Sequence, residues 1–294
     1  MKKLFKIISL IFILTSLTGC IKRDNMEDIT INTTVYPIWY VTNKLYGNNS
    51  TINSIYPNGI ITKEYKLTDK QIKDLSSDEL FIFNGLDEEK KYVEQLFKYN
   101  NNLLIIDGTN AMTYTYDIEE LWLDPLNLLN IANNIRKGLN EYINYKYLKD
   151  EIEKNYQKLD EDLSSLAAKM QLTIEKASNN NLVIGSKVLN YYKKYGNNLN
   201  IYNLDIPSND PSYEKIMSDV KELIKNKEIK YIFLKQNDIN ENVNLLIEDT
   251  DVEIIYIDGL DNISIVQSDN NEDYISIMFN NLEKLKKQLY YTKN

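Results

Sequence analysis

The sequence predicts an α/β protein of two lobes, each a mainly parallel sheet with helices on both faces, bridged by one long rigid helix. Three observations carry that expectation. Between Tyr147 and Ser178 there is no glycine or proline, and Leu148, Ile152, Tyr156, Leu159, Leu163, Leu166, Met170, Ile174 and Ala177 recur in steps of three and four. Before that stretch, short apolar runs alternate with helical ones, the signature of parallel strands joined by crossover helices. After it the same alternation repeats. A helix over 147–178 would be about 45 Å long, with Glu151, Lys154, Lys158, Glu161 and Lys169 facing water. The alternative, one arm of an antiparallel coiled coil, would need heptads on either side, and the flanks carry none.

In chain order, Ile29–Tyr36 alternates β-branched residues and reads as the first strand. Pro37 opens a helix through Leu45, which Gly47-Asn48-Asn49 ends. A second strand at 52–56 closes on the turn Pro57-Asn58-Gly59, and Thr68 caps a short helix over 69–75. Leu80-Phe81-Ile82-Phe83 is a continuous apolar run, so this third strand is expected to be buried on both faces. A helix at 87–99 and a strand at 103–106 follow. Beyond the long helix, strands are expected at 181–184, 200–204, 231–234 and 253–257, with helices at 187–195, 212–226 and 240–248 between them. A final helix, 274–290, turns Ile277, Met278, Leu282, Leu285 and Leu289 inward. The lobes are therefore expected at 29–146 and 179–294.

Residues 1–19 read as a leader to be set apart from the fold. Lys2, Lys3 and Lys6 give its positive start and Leu4 to Leu14 its apolar run, which falls short of the roughly 20 residues of a spanning helix. Leu17-Thr18-Gly19-Cys20 resembles a bacterial lipobox, in which cleavage before the cysteine leaves its thiol to carry diacylglycerol. A plain cleaved signal with an incidental cysteine is the alternative. Residues 20–28, polar and charged, read as a tether. Cys20 is the only cysteine, so the folded part has neither disulfide nor thiolate metal site. Without the leader, 31 basic side chains face 43 acidic ones, which argues against nucleic acid as a partner.

Several stretches are familiar as a set. Gly59-Ile60-Ile61-Thr62-Lys63-Glu64-Tyr65-Lys66-Leu67-Thr68 resembles Gly-Val-Glu-Pro-His-Asp-Tyr-Glu-Pro-Thr, typical of the solute-binding proteins of zinc and manganese ABC importers. Leu80 to Leu86 is similar to that family's Leu-Phe-Val-Tyr-Asn-Gly-Leu, and Leu121-Trp122-Leu123-Asp124-Pro125 to its His-Phe-Trp-Leu-Asp-Pro. Tyr191 to Gly196 resembles its Tyr-Phe-Ala-Lys-Arg-Tyr-Gly helix end. Lys230 to Asn237 resembles Lys-Ala-Ile-Phe-Phe-Glu-Glu-Asn, and Tyr256 to Leu260 the end of its last strand. The resemblance spans the mature chain. It implies two lobes on a helical backbone of the metal-receptor type, a lipid anchor at Cys20, an extracytoplasmic monomer and an ABC permease as partner.

The departures bear on the cargo. In the family three His and one Asp or Glu from both lobes hold one metal ion, and this chain contains no histidine. Position by position, the resemblance puts the first ligand at Lys63, the second at Glu120, the third at Gly185 or its neighbour Ser186, and the fourth at Asp258. Lysine is a poor ligand and glycine has no side chain, so zinc affinity is expected to be lost or altered. Glu120 and Asp258, with Glu64, are left to hold zinc, manganese or calcium weakly. Alternatively the Lys63 ammonium sits between Glu120 and Asp258 in place of the ion, or swings into solvent.

Tyr36, Trp39, Tyr40, Tyr65 and Trp122 load the cleft-side loops with rings, either as packing or as a pocket for an organic cation or small polar solute. A surface lipoprotein that keeps the scaffold without transport, adhesin-like or regulatory, is the competing function. Catalysis is not expected. There is no histidine and no Gly-x-Ser-x-Gly elbow, and Asp117, Glu119 and Glu120 alone would have to supply acid and base.

Overall fold

The computed structural model describes residues 24–85, 87–236 and 238–292, so the leader and Cys20 lie outside it. The N lobe runs β1 (Ile29–Thr33), α1 (Tyr36–Tyr46), β2 (Ser50–Ser54), α2 (Asp69–Leu75), β3 (Leu80–Phe83), α3 (Asp87–Tyr99), β4 (Leu104–Asp107), a 3₁₀ turn at Ile118–Leu123 and α4 (Pro125–Tyr142). The linking helix α5 spans Lys146–Glu175. The C lobe follows with β5 (Asn181–Ile184), a 3₁₀ turn at Asn190–Tyr195, β6 (Asn200–Asn203), α6 (Tyr213–Lys225), β7 (Tyr231–Lys235), α7 (Glu241–Asp249), β8 (Glu253–Ile257), α8 (Ile265–Asp269) and α9 (Tyr274–Leu289). Each lobe is a four-stranded parallel sheet, ordered β2-β1-β3-β4 and β6-β5-β7-β8, so one topology is used twice. In each, the order reverses between the first and third strands, which is where parallel sheets open a crevice.

The stripe read from sequence is the buried stripe of α5. Leu148, Ile152, Leu159, Leu163, Leu166, Met170 and Ile174 are all buried, and one apolar core runs from the N-lobe strands along this helix into α9. Tyr156 is the exception within the helix, half-buried beneath the Arg136 guanidinium at 4.5 Å, and Ala177 falls past the helix end. Because this core is continuous through α5 it ties the two lobes together, while the C lobe holds a second, separate cluster that includes Val183, Leu234 and Leu246. No described helix is long and apolar enough to cross a membrane.

Three local expectations fail for identifiable reasons. Helix α4 is not foreseen by the sequence reading, because asparagines dilute its pattern and Gly138 interrupts it. That glycine is required by packing, since a Cβ there would lie 2.8 Å from Ile106. The helix expected over 187–195 is reduced to its last six residues, Asn190–Tyr195. The chain here is spent on other contacts: Ser186 Oγ, ahead of the turn, is buried and accepts from Lys235 N at 2.7 Å, and Asn190 N, at its first residue, donates to Glu120 at 3.0 Å.

The tether also ends sooner than read. Asp24 is buried and accepts from the backbone amides of Met26, Asn144 and Tyr145 at 3.0, 2.8 and 2.7 Å, and Tyr46 Oη donates to Met26 O. Burial alone would raise the Asp24 carboxyl, but these three donors outweigh it and hold the pKa below its usual value. Residues 24–28 are thus part of the folded body.

Candidate functional site

The carboxyl ends of the strands of both lobes meet along one seam, and the residues carried over as ligand positions fall there with unequal fates. Lys63, on the loop after β2, donates to Glu119 Oε2 at 2.7 Å. It does not sit between Glu120 and Asp258, and the pairing proposed from sequence is corrected to its neighbour in the 3₁₀ turn. Beside it, Lys187 meets Asp117 at 2.9 Å and Lys235 meets Asp261 at 3.3 Å. The three lysines, with Asp117, Glu119, Asp205 and Asp238, line a space of about 220 Å³. Burial pulls the Lys63 ammonium down. The bond and charge of Glu119, helped by Asp238 and Asp261, more than reverse this, so it stays charged. The hydrogen bond to Asp117 likewise raises Lys187. Three built-in ammonium groups therefore occupy the mouth of the cleft.

Glu120 is fully buried and turned into the seam, where Asn190 donates to it twice, from the backbone at 3.0 Å and from Nδ2 at 2.9 Å. Burial raises its carboxyl above the usual value. The Asn190 bonds and Lys187 oppose that shift, while Asp117 adds to it. The sign follows: ionised Glu120 costs stability above its folded pKa, and the cost fades as pH falls through that value toward the unfolded one. Glu120→Gln should therefore gain on the native protein as pH rises. Urea midpoints of both proteins at about pH 5 and pH 8 test this, and parallel behaviour at the two would contradict it.

Asp258 is equally committed. Its Oδ1 accepts from Leu260 N at 2.8 Å and its Oδ2 from Gln267 Nε2 at 2.6 Å, and Asn281 holds its backbone on both sides. The third position is closed outright, since a Cβ on Gly185 would lie 2.6 Å from Val243 Cγ2. Ser186 is buried with its hydroxyl on Lys235 N. Lys63, Glu64 and Asp258 do share an open groove of about 410 Å³, but Glu64 is exposed. Among the described residues no three His, Cys, Asp or Glu side chains gather as a metal ion needs. The donor set does not fit the bound ion that the resemblance implies.

Protein contacts close the seam instead. Trp122, fully buried, donates from Nε1 to Gly259 O at 2.7 Å, and Tyr274 Oη donates to Trp122 O at 2.6 Å. Asp124 caps α4, takes the Tyr195 hydroxyl at 2.6 Å and pairs with Lys194. Thr62 donates to Asp261 at 2.8 Å. Of the aromatic candidates, Trp39 stacks on Tyr36 and donates to Ile52 O, so its role is packing. Tyr65 and Trp122 line an adjoining cavity of about 440 Å³, walled mostly by the N lobe and bordered by Lys63, Glu119 and, from the C lobe, Lys235 and Asp261.

The sequence reading passed over Lys235 and Asp261. For Lys235 the signal was on the page, since it stands where the family strand carries a glutamate. For Asp261, one residue past the last motif, there was none.

Comparison with known proteins agrees with the architecture. The family model described as zinc-uptake complex component A, periplasmic (ZnuA), matches residues 31–288. Zinc-binding lipoprotein AdcA of Streptococcus pneumoniae is 23% identical over 280 residues, covering 88% of this chain and 55% of AdcA, so the chain spans about half the length of that relative. A metal ABC transporter substrate-binding lipoprotein of Lactococcus lactis is 23% identical over 297 residues, 93% of each chain. In three dimensions the Zn(II)-bound ZnuA-like domain of S. pneumoniae AdcA superposes with a TM-score of 0.73 at 22% identity, over 89% of this chain and 99% of that domain. With the family model covering nearly all of the described fold, the chain belongs to the ZnuA family of metal-transporter substrate-binding proteins, which are binding components and not enzymes.

Proposed function

We propose that this protein is a lipid-anchored, extracytoplasmic solute-binding component of a metal-type ABC transporter whose zinc corner has closed. Cys20 would carry the lipid and a permease would be the partner, as the names of the AdcA and L. lactis relatives suggest by analogy. The observation that carries the reading is Gly185. No side chain fits at that position without displacing Val243, so a ligand from the C lobe cannot be supplied there. The Lys63–Glu119 pair supports it, because a fixed ammonium occupies the charge that a cation would bring. Glu120 and Asp258 are held by protein donors, which leaves neither carboxylate open to zinc, manganese or calcium.

The test is metal content and thermal shift on the purified chain without chelator. Binding to the native state raises the melting temperature once metal exceeds its dissociation constant. No shift is expected with Zn²⁺, Mn²⁺ or Ca²⁺ up to about 1 mM, and the protein should carry no stoichiometric metal. A shift at micromolar zinc would sink the reading.

A further inference from the structure

We infer that the cleft cavity of about 440 Å³, walled mostly by the N lobe and bordered by Lys235 and Asp261 of the C lobe, is a binding site for a small zwitterionic solute with an aromatic body, of the free amino acid or dipeptide class. The inference rests on the closed zinc corner for its biological setting, but its own observations are those of the adjoining cavity. The cavity falls within the range of about 300–1,000 Å³ common to small-molecule sites, far larger than a single ion requires.

Position is the first observation. The cavity lies where the order β2-β1-β3-β4 reverses, since Val35 and Gly85, just past the ends of β1 and β3, both line it. Gly85 has φ +74°, and a Cβ there would come within 2.3 Å of Thr109 Oγ1, so the end of β3 must stay bare backbone.

Buried polar groups are the second. Asn84, fully buried and next in the chain to Gly85, leaves both side-chain amide atoms without a hydrogen-bond partner. Thr34 Oγ1, next to Val35 on the adjacent strand, is left in the same state. Buried polar atoms are normally satisfied, and these two groups adjoin the lining residues Val35 and Gly85 in the chain while staying out of reach of the cavity themselves.

The third is the chemistry of the wall. Tyr56, Tyr65, Tyr92, Tyr114 and Trp122 present rings, with Tyr56 and Tyr65 edge to face at 6.0 Å. Four lysines and four carboxylates line the same space, so its fixed charge is balanced and favours neither a lone cation nor a lone anion. Lys63 and Lys235 are taken by Glu119 and Asp261. Lys66 lies in the field of Glu88, which is itself paired with Lys91, and makes no salt bridge among the described residues. It is the group to receive a solute carboxylate. The tyrosine faces suit the ammonium end.

The experiment titrates the full-length chain in detergent with L-tyrosine, L-tryptophan and tyrosyl-glycine, read by thermal shift and calorimetry. Tyramine and 4-hydroxyphenylacetate serve as analogues bearing one charge each. At least one zwitterion should raise the melting temperature by about 2 °C or more near 1 mM, and the single-charge analogues should bind about tenfold or more weakly. Lys66→Glu, at an exposed position, should leave the melting temperature of the free protein unchanged and weaken the zwitterion by about tenfold. The proposal fails if no zwitterion binds near 10 mM, if tyramine binds as well as tyrosine, or if Lys66→Glu binds unchanged. A micromolar zinc shift in a parallel arm would remove the closed corner on which the proposal rests. A silent zinc arm with silent amino acids would remove the cavity proposal alone.

Discussion

Trp122→Ala is expected to destabilise the protein by about 3–5 kcal/mol, the range for truncating a buried tryptophan, and to part the two lobes. The ring is fully buried at the seam, and its indole N–H is the donor that satisfies the Gly259 carbonyl from the opposite lobe. Truncation therefore leaves both a cavity and an unpaired buried acceptor. Trp122→Phe separates the two contributions, since it keeps most of the apolar body and should lose only about 1–2 kcal/mol with the hydrogen bond. Urea unfolding gives the stabilities, and small-angle scattering of the folded variant gives its radius. A Trp122→Ala protein with native stability would mean that α5 alone sets the lobe arrangement.

Gly185→His restores the imidazole of the family pattern and should nonetheless weaken the protein. The new Cβ would meet Val243 Cγ2 at 2.6 Å, and overpacking of this kind costs about 1–3 kcal/mol. Val243→Ala, destabilising alone because Val243 is fully buried, should recover part of the loss in the Gly185→His background. That non-additivity is the signature of direct contact. Measured additivity would place the clash elsewhere. The triple variant Lys63→His, Glu120→His, Gly185→His should gain no micromolar zinc binding while Val243 remains, which calorimetry would show.

Much of the fold was legible because it rests on period alone. The stripe from Leu148 to Ile174 could face only one way, and the run Leu80–Phe83 has no polar residue to turn toward water. Helix α4 was hidden because its asparagines blur the boundary between face and flank, and the Ile106 contact that makes Gly138 necessary is long-range.

The site was less legible, for a geometric reason. Glu119 and Glu120 are adjacent, but on a 3₁₀ turn one step is about 120° of rotation. Glu119 therefore faces the cleft mouth while Glu120 enters the seam toward Asn190. Spacing along the chain shows which residues share a turn, not which of two neighbours points at a partner from the other lobe. Gly185 was read as a missing side chain; that Val243 fills the space became visible only when α7 was packed behind it.

The docking of Asp24 onto the amides of Asn144 and Tyr145 has a consequence for orientation. If Cys20 bears the lipid, as proposed, four steps of chain would reach Asp24, a leash of at most about 14 Å, barely wider than one helix. It attaches at the amino end of β1, whereas Val35 and the seam lie past the carboxyl end of the same strand. A molecule moored there would hold the proposed solute site on the side away from the bilayer. To present that site to a partner in the membrane the whole body would have to tip over, and so short a mooring would let it pivot close to the lipid surface but not wander from it.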